Sequence, residues 1–196
     1  GRKTQTRRPL KWKQTRFTEI GEREDGSKWP WSEDAENVCD YWHPCPFGAV
    51  GDRIWVRETY QGPLFDYEHM EAYLEDSSKF EKPDFCVYRA DGKPAPEFCD
   101  ADDNLHCCWR PSIHMPRWAS RITLEIIDVR VERLASISQE DAAKEGYPAN
   151  PEPYGGSMDK WLWFRQLWDS IYPEQSFSHN PWVWVIEFKR FEGGAA

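Results

Sequence analysis

Hydrophobic and polar positions alternate most clearly late in the chain. Ile122, Leu124 and Ile126 alternate with Thr123 and Glu125. The apolar phase then shifts by one at Ile127 and continues through Val129 and Val131, with Arg130 and Glu132 facing away. A one-residue phase shift in a long strand predicts a bulge or a bend that carries the strand between sheets. Trp182 to Lys189 predicts a closing strand, apolar on both faces near its start as a central strand requires. Two shorter runs, Arg53–Tyr60 after Gly51-Asp52 and Phe85–Ala90 before Asp91-Gly92, also predict strands.

Helical periodicity appears in three places. A short acidic helix is predicted around Tyr67–Leu74. Ser138 can cap a helix over Gln139–Glu145, with Asp141 at its third position and Gly146 ending it. After a Pro/Gly-rich linker at 147–157, Ser157 or Asp159 opens a helix that carries Trp161, Phe164, Leu167, Trp168 and Ile171 on one face and stops before Pro173. Residues 17–50 are turn-rich and predict a loop or insertion held to the core by its tryptophans. Residues 93–117, with four prolines, predict a long ordered loop. This order argues for a small mixed α+β barrel, a single domain over 1–196.

Twelve Trp, ten Phe and eight Tyr give a large aromatic area to a chain only 39% hydrophobic. Such area serves core packing or base stacking. No apolar run nears the roughly 20 residues that span a bilayer, and no signal-peptide pattern is present, so a soluble cytoplasmic protein with no membrane partner is expected. The chain opens on Gly rather than Met, which leads us to expect a segment upstream of it.

Charge is distributed unevenly. Residues 1–16 hold seven cations and no carboxylate, in a chain whose net charge is -9. A cationic edge on an acidic body draws in a phosphate-bearing ligand, or else is a solvated basic tail. The six cysteines, Cys39, Cys45, Cys86, Cys99, Cys107 and Cys108, are spaced too irregularly for a disulfide framework. Cys39, His43 and Cys45, with Cys107 and Cys108, are candidates for a structural zinc clip; none has the spacing of a strong zinc signature, and buried thiols are the competing reading. No other cofactor is expected.

Several segments, taken together and in order, resemble the ASCH domain family of the PUA-like superfold, in the form found in phage and prophage genomes. They are Gly1-Arg2-Lys3-Thr4-Gln5-Thr6-Arg7-Arg8, then Gly51–Thr59, Trp109–Ile122, the helix Ser138–Gly146, and Asn180–Phe188. Residues 17–47 and 61–108 look like insertions on that smaller core. The resemblance implies a β-barrel flanked by helices, with a cleft for RNA or a modified nucleoside, acting in the cytoplasm of a bacterial host. Members similar at the Gly-Arg-Lys-Thr-x-Thr-x-Arg motif are amidohydrolases that remove the acetyl group of N4-acetylcytidine. Their active site maps onto Lys3, Thr6 and Glu145 in this chain.

Chemically, Thr6 would be the nucleophile, Lys3 its base, and Glu145 an orienting or proton-carrying group. Arg2, Arg7, Arg8, Glu58, Trp118, Arg121 and Trp182 are the candidate ligand-binding residues, the tryptophans as stacking platforms. Lys3 and Thr6 are three apart, so they meet only if the segment is a turn or a bulge rather than a regular strand. A non-catalytic RNA-binding module is the alternative that avoids this requirement. A phage protein that binds a host protein through its acidic surface is a third reading.

Overall fold

The computed structural model describes residues 3–11, 19–34, 39–100, 104–148 and 158–192. In chain order the strands are β1 (Gln5–Pro9), β2 (Glu19–Glu22), β3 (Lys28–Asp34), β4 (Cys39–Trp42), β5 (Arg53–Trp55), β6 (Tyr60–Gln61), β7 (Val87–Tyr88), β8 (Glu97–Cys99), β9 (Leu105–Cys107), β10 (Thr123–Arg133) and β11 (Trp182–Arg190). The α-helices are α1 (Met70–Glu75), α2 (Gln139–Lys144) and α3 (Asp159–Ile171), and short 3-10 turns occur elsewhere along the chain. Helix and strand occur in equal shares and the main sheet is curled, so the fold is of the mixed α+β, barrel-like kind expected. Among the described residues no helix is long and apolar enough to cross a membrane.

The chain packs as two compact units, Gly1–Asp52 with Glu125–Lys189, and Arg53–Leu124 with Arg190–Ala196. In the first, β1, β11 and β10 lie side by side in that order, and β1 pairs antiparallel to β11 with Gln5 opposite Glu187 and Pro9 opposite Val183. Val183 and Val185 of β11 face α2 and α3, where Leu134, Ile137, Ala142, Phe164, Trp168 and Phe177 complete a buried core. Each such side chain contributes about 1.5–3 kcal/mol by leaving water. Trp184 alternates to the other face and meets Trp29 edge-on, with ring centroids 5.0 Å apart.

Trp29 belongs to a three-stranded meander, β2-β3-β4, in the region expected to be a loop. Its first turn is the Asp25-Gly26 pair: Gly26 adopts φ 80, and the Asp25 carboxylate accepts from the Ser27 N–H at 2.8 Å. Pro30, in the middle of β3, hides the alternation in the sequence. Of the tryptophans in this segment, Trp29 meets the sheet, through Trp184.

The second unit has its own core of Tyr60, Tyr88, Met115 and Ala119, with Trp55, Cys86 and Trp118 partly buried against it. The run Arg53–Tyr60 was expected to be one strand, but it is broken into β5 and β6. Here the Ser120 hydroxyl donates to the Val56 carbonyl at 2.9 Å, and the Glu58 N–H points at the Met115 sulfur at 3.1 Å, so side chains take groups a continuous strand would use. The expected strand at Phe85–Ala90 shrinks to β7, followed by a 3-10 turn over Arg89–Asp91. The loop expected at 93–117 contains the β8–β9 hairpin and two 3-10 turns.

The remaining elements follow the sequence closely. β10 is one strand of 11 residues in which Ile126 is buried, Ile127 exposed and Val131 buried again. Phe164 and Trp168 of α3 are buried as predicted, whereas Ile171, at the helix end, is 54% exposed. Ser138 caps α2, its hydroxyl accepting from the Asp141 N–H at 3.0 Å. Ser138→Ala is expected to lower unfolding free energy by about 1 kcal/mol, read as a shift of the urea midpoint at unchanged slope.

Candidate functional site

The end of α2 and the start of β1 are joined through the backbone. The Thr4 N–H donates to the Lys144 carbonyl at 2.9 Å, and the Thr4 carbonyl accepts from the Phe188 N–H at 2.9 Å. Glu145 is the C-terminal cap of α2, and Gly146 follows at φ 106, a conformation that favours glycine. A Cβ at Gly146 would lie 3.4 Å from Lys3 Cβ, so the Lys3 stem lies across this turn. The Lys3 ammonium reaches Glu145 Oε2 at 3.1 Å, and Arg7 Nη1 donates to Glu145 Oε1 at 3.1 Å. The Glu145 and Arg7 side chains are 3% and 1% exposed and that of Lys3 is 45% exposed, so one end of the cluster is sealed and the other open.

Arg7 continues into a wider polar network. Its Nη1 also donates to Gln5 Oε1 at 2.6 Å, and Gln5 Nε2 donates to Glu187 Oε1 at 2.7 Å. Its Nη2 lies 3.4 Å from Glu132 and 3.7 Å from Asp141. Arg130 bridges Asp128, Glu132 and Glu187 at 2.6–2.7 Å. Burial works against the charged form of Asp141, but the Ser138 hydroxyl, Arg7, Lys144 and Gln5 outweigh it and hold the carboxyl below its ordinary range. Burial likewise opposes ionisation of Glu187, where Arg130, Gln5 and Lys144 prevail and lower it.

This network takes up Lys3 and Arg7 of the cationic opening of the chain. Lys3, Arg7, Arg130 and Lys144 face Asp128, Glu132, Asp141, Glu145 and Glu187, so the cluster carries no excess of positive charge. Arg7, expected to meet a ligand phosphate, is instead enclosed by carboxylates of its own chain. Comparison with family models, with curated proteins and with solved structures finds no match. The chemistry must therefore be argued from these side chains.

Of the expected catalytic residues, the structure brings Lys3 and Glu145 together. Thr6 stands in a regular strand, opposite Ile186, and alternation turns it away from the face on which Arg7 meets Glu145. Lys3 precedes the strand, which begins at Gln5. Thr6 Oγ1 is nevertheless buried and has no hydrogen-bond partner. Arg8 donates to the Tyr172 hydroxyl at 3.4 Å, and Trp182 lies under the Arg133 guanidinium, 4.3 Å from ring centroid to cation. Arg2 lies outside the described residues.

Glu58, Trp118 and Arg121 belong to the second unit. Arg121 is bound on two sides, by Glu58 at 2.8 and 3.0 Å and by Asp91 at 2.7 and 2.9 Å, and it lies over the Tyr88 ring. Glu58 and Arg121 are thus each other's partners, and Trp118 packs against the core. Among the described residues no group of three or more His, Cys, Asp or Glu is arranged to hold a metal ion. His43 Nε2 is taken by the Ser32 hydroxyl at 2.9 Å, burial pushes the Cys45 thiol up, and Cys39, Cys107 and Cys108 are exposed.

The sequence reading missed Gln5, Glu132, Asp141, Glu187 and Arg130 as members of one network. The signal available was the alternation Asp128-x-Arg130-x-Glu132, three charged residues on one face of a strand otherwise bound for the core.

Two outcomes follow. Arg7→Met leaves the Glu145 carboxylate buried with half-exposed Lys3 alone, and is expected to cost about 3–5 kcal/mol in urea unfolding, much of it recovered in Arg7→Met/Glu145→Gln. Asp141 and Glu187 have lowered folded pKa values, so the stability they contribute is full above the ordinary carboxylate range of about 4 and is lost as pH falls through the lowered values. The urea midpoint should therefore fall on acidification below about pH 4, and fall less steeply in Glu187→Gln.

Proposed function

We propose that the chain is a PUA-like protein of the ASCH type that binds a modified pyrimidine nucleoside, free or within RNA, at the Lys3–Glu145 pair. The observation that supports this reading is the half-exposed ammonium held 3.1 Å from a buried carboxylate whose other oxygen is held by Arg7. A cation fixed in this way is a directional donor for a neutral acceptor such as a base carbonyl. The surrounding carboxylates cancel its long-range pull on phosphate, so a base edge suits it better than a nucleic-acid backbone. The cytoplasm of a bacterial host, with a phage or prophage source, is the setting the resemblance implies.

Binding without hydrolysis is the first reading. As an ion-paired ammonium, Lys3 donates hydrogen bonds and has no lone pair to accept the Thr6 proton. The second reading is an amidohydrolase that removes an acyl group from N4-acylated cytidine, with Thr6 as nucleophile, Lys3 as base and Glu145 assisting. One observation favours it: the buried Thr6 hydroxyl is uncommitted to any partner.

The test incubates the full chain with N4-acetylcytidine, following retention by calorimetry and deacetylation by chromatography. Retention without turnover is expected, weakened about tenfold in Lys3→Ala through loss of a charge-assisted bond and unchanged in Thr6→Val. Turnover that disappears in Thr6→Val would establish the hydrolase instead. Equal behaviour of wild type and Lys3→Ala would remove the site altogether.

A further inference from the structure

The chain's net charge is -9, and most of its described arginines are engaged by carboxylates or rings. In the second unit, six exposed arginines, Arg53, Arg57, Arg89, Arg110, Arg117 and Arg190, make no ion pair among the described residues. Arg190 lines one recess, and Arg53 and Arg117 contact residues of its wall. Arg121, Thr123, Arg190, Phe191 and Glu192 line an open hollow of about 360 Å³. The Arg53 guanidinium stacks on the Phe191 ring at 3.7 Å from its centroid, and Arg117 Nη2 donates to Thr123 Oγ1 at 3.5 Å. Arg57 and Arg117 both lie over Trp55, at 4.8 and 5.8 Å.

Unpaired guanidinium groups on the surface of an acidic chain repel one another, and nothing in the core requires them to sit together. Rings orient Arg53 and Arg57, while Arg57 gives one N–H to the Ile113 carbonyl at 3.1 Å and Arg117 gives one to Thr123; their remaining N–H groups suit a planar or tetrahedral oxyanion. Arg121 differs from the others: Glu58 and Asp91 already occupy it, so it forms a rigid wall rather than a free cation. Glu192 is the one carboxylate lining the recess, and its charge is outnumbered by the unpaired arginines around it. Arginine rather than lysine throughout favours bidentate recognition of phosphate.

We infer that this recess binds a phosphoryl group, carried by a single-stranded nucleic acid or by a free nucleotide. It shares no residue with the Lys3–Glu145 pair and does not depend on it.

The test measures binding of a short fluorescent single-stranded RNA and of cytidine 5′-monophosphate to the full chain at low salt, with cytidine as the control lacking phosphate. Wild type is expected to bind the RNA with an affinity that falls as salt rises, and Arg53→Gln/Arg190→Gln to lose about tenfold while keeping its circular dichroism spectrum. Lys3→Ala should bind the phosphate probes as wild type does, so this inference and the nucleoside reading fail separately. Binding of both probes identifies a free or terminal phosphate, and binding of RNA alone identifies the backbone. The inference is overturned if the folded double variant binds both probes as well as wild type does, or if cytidine binds as tightly as its monophosphate.

Discussion

A buried charge must have a partner, and the first unit is arranged around that requirement. Arg7 lies on a strand whose neighbours go into the core, so its guanidinium has no route to water. Glu145, Glu132 and Asp141 each come to it from a different turn of chain. Removing water from these groups costs several kcal/mol per ion, and the cost is offset only when every partner is present at once. The cap of α2, the register of β1 on β11 and the charged face of β10 are therefore a single condition.

That condition also gives Lys3 its character. Its ammonium is fixed by a carboxylate that is itself fixed by Arg7, so its direction is set by groups deeper in the protein than itself. Rigid support of this kind sets Lys3 apart from a mobile surface lysine. The same carboxylates keep the site from acting as a general attractor of anions. In the second unit, aromatic rings rather than carboxylates orient Arg53 and Arg57.

The amphipathic elements were legible because burial imposes a period. The core face of α3, the cap at Ser138, the stop at Gly146 and both long strands could be read from spacing alone. The meander at β2-β3-β4 was not, because Pro30 interrupts its alternation and its apolar content is concentrated in a few tryptophans. At the site, Lys3 and Glu145 could be paired only through a family resemblance, since 142 residues separate them. The role of Arg7 was misjudged for a physical reason: a cation in a basic run looks solvated until the acids folded onto it are known. Composition registers the charge of a segment but carries no information about which distant carboxylates will neutralise it.

The pairing of β1 with β11 also has a consequence in time. Gln5 and Glu187 are bonded across 182 residues of chain, so the outermost strand of the first unit has no neighbour until nearly the whole sequence has left the ribosome. A strand that waits this long exposes unpaired backbone, and contacts this distant slow folding. Two cations of the basic opening segment, Lys3 and Arg7, likewise find their carboxylates only far along the chain, on β10, α2 and its cap.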